Sequence, residues 1–99
     1  MDKKELLEYF NKKFDTRISR RMKKLTEEFN ELVEAVNSGK REDIIDELAD
    51  VNGVLFHIAG ILVYTQDELL EMCADKVMGR EKDPNYKRKH PHVKNEGAE

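Results

Sequence analysis

The stretch 18-ISRRMKKLTEEFNELVEAV-36 decides the fold. Its apolar residues Ile18, Met22, Leu25, Phe29, Leu32 and Val36 recur at alternating spacings of four and three, the period of one helix face. The rhythm stops at 37-NSGKR-41, where Gly39 is placed to end a helix in the left-handed conformation. It resumes in Ile44, Leu48, Val51, Leu55, Ile58 and Leu62, which predicts a further helix of the same kind. Two striped helices joined by so short a loop are expected to pack antiparallel as a hairpin.

Outward from the hairpin the text stays helical. Leu6, Leu7, Phe10 and Phe14 predict a first helix over roughly residues 2–14, and Asp15 or Thr16 is placed to cap the one that follows. Thr65 with Glu68 reads as a capping box that opens a fourth helix over roughly 66–81, and Asp83-Pro84 is a stop signal. The expectation is an all-α bundle of four to five helices, with a helical domain over 1–82 and a polar, partly basic tail over 83–99. The basic 87-KRKH-90 segment reads as a solubilising end or as a strap over a neighbouring site.

Composition excludes several classes. At 99 residues the chain is one small domain, with a core that association would enlarge. A net charge of −3 gives no global signal for nucleic acid. A single cysteine, Cys73, permits no internal disulfide framework and suits a reducing, cytoplasmic setting. Cys73 falls at core spacing with Leu69, Leu70 and Val77 and reads as structural. The opening MDKKELLEYF is too polar for a signal peptide, and the apolar run 54-VLFHIAGILVY-64 is too short to span a bilayer.

The acids of the hairpin carry the chemistry. Glu28 immediately precedes the stripe residue Phe29, Glu31 precedes Leu32, Glu47 precedes Leu48 and Asp50 precedes Val51. All four therefore lie on the same flank of their stripes, at the shoulder of the expected core, as two pairs spaced i, i+3. Clustered carboxylates repel one another, and burial worsens the conflict. A hard divalent cation such as Mg²⁺, which takes oxygen ligands, removes it. A single E-x-x-E is more often a solvated face paired with Lys and Arg; two pairs in matching phase across a hairpin bring the metal reading level with it. Glu34 falls further round toward solvent, as does Glu27.

The order 27-EEFNE-31 then 47-ELAD-50, with the flanks KLTEEFNELVEA and DELADV and with 76-KVMGR-80 on the last helix, resembles the MazG-type all-α nucleoside triphosphate pyrophosphohydrolases over residues 20–82. The resemblance implies that Glu28, Glu31, Glu47 and Asp50 bind Mg²⁺, with Mn²⁺ as a substitute. It implies cleavage of a (deoxy)nucleoside triphosphate between the α and β phosphates to monophosphate and pyrophosphate, as nucleotide-pool housecleaning. It gives Glu27 or Glu28 a role in activating water, and Lys76 and Arg80 a role in holding phosphate. Arg21 and Lys24, on the Glu28 flank, reach either phosphate or the acids. The chain lacks the Asn that often follows the Lys of the last helix and has no Trp to stack on a base. Tyr9, Phe10 and Phe14 can take that place or serve as core, and His57 reads as a polar-interface or partly buried histidine.

In the third helix Ala49, Gly53 and Gly60 form a strip of small residues beside Phe56, roughly opposite the main stripe. Gly within a helix costs roughly 1 kcal/mol relative to Ala, which close backbone approach offsets. The strip predicts a homodimer built around this helix, or a dimer of dimers, as in the relatives, whose active sites lie near subunit boundaries. Three other readings stand beside the main one. A phosphoribosyl-ATP pyrophosphohydrolase shares the fold and reaction type. A helical interaction module accounts for the stripes but not for the matched acid pairs. A di-iron carboxylate bundle needs E-x-x-H pairs, which are absent.

Overall fold

The computed structural model describes residues 1–85; the basic tail segment 87–90 lies outside them. The described residues form four helices in the order α1 (Lys3–Lys13), α2 (Ile18–Ser38), α3 (Arg41–Ile61) and α4 (Gln66–Glu81). They divide into two compact units, one ending at Gln66 and one beginning at Asp67. Among them no single helix is long and apolar enough to cross a membrane.

Each boundary has a local cause. Asp2 caps α1 by accepting from the Glu5 N–H at 2.8 Å. Gly39 ends α2 with φ 76°, and its N–H bonds the carbonyls of Ala35 and Val36. The start of α2 departs from expectation. Neither Asp15 nor Thr16 caps it; the N-cap is Arg17, without a side-chain cap bond. Asp15 instead accepts from the Arg17 backbone N–H at 2.9 Å and pairs with the Arg17 guanidinium, a two-residue bond that closes a turn rather than a helix end.

α2 and α3 pack against each other along their length, and α1 lies across α3. The packed seam is rotated from the one the stripes suggest. Each stripe splits into two rows seven residues apart. Ile18, Leu25 and Leu32 on α2, with Ile44, Val51 and Ile58 on α3, are covered. Met22, Phe29 and Val36 on α2, with Leu48, Leu55 and Leu62 on α3, remain about half exposed. The rotation draws the acid-bearing flank into the seam, where Arg21, Glu28, Ala35 and Val54 are buried. Of the carboxylates expected at the shoulder of the core, Glu28 and Glu47 are thus drawn in, while Glu31 and Asp50 stay exposed.

The strip of small residues meets α1 of the same chain. A Cβ at Gly60 would stand 2.5 Å from Leu7 Cδ1, and one at Gly53 would stand 3.8 Å from the Phe10 ring. Close approach compensates Gly60, but a helix of this chain makes it, so the strip is no argument for a dimer. Phe10 anchors that contact, with its ring 6.4 Å from Phe56 and 5.4 Å from His57. α4, taken by itself, has no buried residue, and Cys73 on it is exposed rather than structural.

Candidate functional site

The hairpin brings Glu28, Glu47 and Asp50 together. Each offers a carboxylate oxygen, and these oxygens lie within 4.8 Å of one another. Glu28 comes from the middle of α2, and Glu47 and Asp50 come from successive turns of α3. Burial falls across the group: Glu28 is buried, Glu47 half-buried and Asp50 exposed, so the cluster opens to solvent at Asp50. One oxygen of Glu28 and one of Glu47 are buried without a hydrogen-bond partner.

Glu31 adjoins the group from the solvent side. Contact with the Glu28 carboxyl, and then its charge, pushes the Glu31 pKa above the ordinary value of 4.5. The Glu47 carboxyl is raised first by burial and then by the charges of Asp50, Glu28 and Asp46. The neighbouring carboxyls thus disfavour the ionised forms of Glu31 and Glu47.

Among the described residues, Lys24 offsets part of this charge. Lys24 Nζ lies 3.0 Å from Glu28 Oε1 and 3.5 Å from Glu27 Oε2, and the Glu28 contact raises the lysine pKa. Of the two alternatives for Lys24, pairing with the acids holds here. Glu27 points outward on this ion pair, with its side chain 66% exposed, and is not among the converging oxygens. Lys76 and Arg80 lie one turn apart at exposed positions of α4, in the second unit.

Beyond the acids the seam holds a second polar group. His57 is fully buried, and its Nε2 lies 2.9 Å from Asn11 Oδ1. Its Nδ1 is buried without a partner. Burial, followed by the charge of Arg21, lowers its pKa, so the imidazole stays neutral. Arg21 is buried too, with its guanidinium carbon 5.0 Å from the centre of the Phe14 ring. Asn11 was not anticipated from the sequence. Its signal was a polar residue in register with Leu7 and Phe14, at i+4 and i−3, on the apolar face of α1.

A cluster of acids on two antiparallel helices fits more than one chemistry, and comparison with known proteins narrows it. The sequence profile of the phosphoribosyl-ATP pyrophosphohydrolase family matches residues 3–77. The chain belongs to this family. It is therefore an all-α pyrophosphohydrolase by family, and the matched span takes in α1, the whole hairpin with its acids, and Lys76. No curated protein and no solved structure matches the chain. The family match supports the superfamily expected from the acid motifs, but it favours phosphoribosyl-ATP over the ordinary nucleoside triphosphates ranked first on the MazG resemblance.

The donor set suits a hard divalent cation. All the candidate ligands are carboxylates, and two of them, Glu28 and Glu47, each keep one buried oxygen with no protein donor. A cation at this point satisfies them and removes the mutual repulsion.

Proposed function

We propose that the chain is a divalent-cation-dependent phosphoribosyl-ATP pyrophosphohydrolase, cleaving between the α and β phosphates to release pyrophosphate. The observation that carries this reading is the convergence of Glu28, Glu47 and Asp50, two of them with orphaned buried oxygens, inside a span matched by that family. Glu28, Glu31, Glu47 and Asp50 would hold Mg²⁺. The ion, when bound, supplies neutralisation of the polyphosphate charge and a Lewis acid at the reacting phosphorus.

The chain's own residues do the rest. The buried Glu28 and half-buried Glu47 fix the position of the cluster, while the exposed Asp50 and Glu31 would meet the substrate. Lys24, held on Glu28 without substrate, is within one side-chain swing of an incoming phosphate and carries a raised pKa that keeps it charged. Lys76 and Arg80 would add positive charge for the phosphates. Glu27, already at the solvent face beside Glu28, is the residue to orient water, and a change of its Lys24 partner on substrate binding would free it.

The MazG-type reading, cleavage of an ordinary or modified nucleoside triphosphate, rests on the spacing of the two acid pairs and differs only in substrate. One experiment separates the two. The protein with Mg²⁺ is offered phosphoribosyl-ATP and a panel of nucleoside triphosphates, with Glu47→Gln and Asp50→Asn beside it. Selective cleavage of phosphoribosyl-ATP, reduced at least a hundredfold in both variants, supports the proposal. Cleavage of ordinary triphosphates instead transfers the protein to the MazG reading, and no cleavage of any of them sinks both.

A further inference from the structure

The fastening of α1 to the hairpin rests on a buried polar contact that the acid cluster does not use. α1 has no buried residue of its own. It meets the hairpin through Leu7 against Gly60, Phe10 against Phe56 and His57, Asn11 against His57, and its C-cap Phe14 against Arg21. His57 is 0% exposed and Arg21 is 6% exposed. The Asn11 amide oxygen can only accept, so His57 Nε2 carries the proton of their 2.9 Å bond and Nδ1 is left as the bare acceptor. Both that Nδ1 and Arg21 Nε are buried without a partner.

A second proton on His57 can go only to Nδ1. There it makes a buried N–H with no acceptor and a second buried cation near Arg21, and both are unfavourable. Nothing around the ring offsets them. From α1 the imidazole faces Phe10 and Asn11, and from α2 it feels the charge of Arg21. Its neighbours one turn away on α3, Gly53, Val54, Gly60 and Ile61, are uncharged. Asp50 is two turns off, about 10 Å along the axis. Glu8, Lys12 and Lys13 of α1 are exposed, and among the described residues no carboxylate pairs with His57 or Arg21. Once α1 leaves, the ring meets water and binds a proton at its ordinary value of 6.5. The docked form therefore holds the neutral ring. Docking is strongest above 6.5 and weakens as pH falls below it.

We propose that α1 is an acid-released clasp: a proton on His57, beside the buried Arg21, detaches α1 from α3 while α2 and α3 stay paired. Release uncovers Gly53, Phe56 and Gly60 on α3 and the Arg21 side chain on α2, the groups that α1 now touches. The α2–α3 seam survives because it runs the length of both helices, whereas α1 reaches only the second half of α3. The clasp does not depend on which triphosphate the acid cluster cleaves.

The test is amide hydrogen exchange of the full chain at about pH 7.5 and about pH 5, corrected for the intrinsic pH dependence of exchange, with the His57 ring followed by nitrogen-15 NMR. A helix of 11 residues is marginal on its own, so release of α1 reads as exchange of its amides. One proton per release allows at most about tenfold per pH unit below 6.5. Protection in α1 is expected to fall at least about tenfold between the two conditions, with the His57 midpoint below 6.5. Protection at Leu25 and Leu32 of α2 is expected to stay level. His57→Gln keeps a neutral partner for Asn11 and is expected to abolish the pH dependence. Asn11→Asp, a near-isosteric change at an exposed residue, sets a carboxylate on the ring and is expected to shrink the loss or reverse it. Equal α1 protection at both pH values in the wild type overturns the clasp. So does an undiminished loss in Asn11→Asp or His57→Gln, or a loss shared by the whole hairpin.

Discussion

Glu31 and Glu47 are held as carboxyls that resist ionisation, and the consequence is measurable without substrate. Each binds a proton more tightly in the folded chain than at its ordinary value of 4.5. Their contribution to stability is therefore greatest below that value and is lost as pH rises from 4.5 through the elevated folded pKa. A bound divalent cation reverses the sign, because it favours the ionised forms. At neutral pH and without metal, Glu47→Gln is expected to raise Tm, because the neutral amide removes one of the mutually repelling charges. Mg²⁺ is expected to raise the wild-type Tm and leave the variant unmoved. Thermal melts with Mg²⁺ or with chelator check this; a variant less stable than wild type in chelator would contradict the account of the cluster.

Among the elements, α3 shows how local sequence and tertiary contact divide the work. Gly53 and Gly60 both face α1, but only Gly60 touches it closely. Gly53→Ala is expected to stabilise by up to about 1 kcal/mol through helix propensity. Gly60→Ala meets Leu7 and is expected to destabilise by about 1 kcal/mol net, overpacking outweighing propensity. In a Leu7→Ala background the sign should reverse, and denaturant midpoints of the four proteins read the cycle. The end of α3 holds a different strain. The Tyr64 N–H bonds the Ala59 carbonyl and the Val63 N–H bonds that of Gly60, which places Val63 at the left-handed position of a helix stop, with φ 64°. A β-branched residue there is strained by roughly 1–2 kcal/mol. Val63→Gly is expected to recover up to about 1 kcal/mol after its own entropy cost; an unchanged denaturant midpoint would argue against strain at Val63. The helices, the Gly39 stop and the acid pairs were legible because each is written in spacings within one helix. The rotation of the seam and the Arg17 start were not, because they depend on which of two adjacent rows another helix covers.

At the scale of the whole molecule, that choice of row leaves a half-exposed apolar face on the hairpin among the described residues. Phe29 and Val36 on α2, with Leu48, Leu55 and Leu62 on α3, are each between 45% and 57% exposed and repeat every seven residues along both helices of the hairpin. α1 takes the small-residue side of α3, so it does not cover these rows. Large apolar side chains repeated every seven residues line one seam of a helix pair, and a second hairpin of the same kind supplies a matching surface. We therefore predict a homodimer formed through the hairpin's open rows rather than through the glycine strip. Pairing there would remove several large side chains from water, each contributing roughly 1.5–3 kcal/mol when fully buried. Stability should then rise with protein concentration. Sedimentation equilibrium is expected to give twice the chain mass for wild type and the chain mass for Leu55→Glu, whose Tm should no longer depend on concentration. A wild type that remains monomeric at every concentration would sink the dimer while leaving the chemistry of Glu28, Glu47 and Asp50 intact.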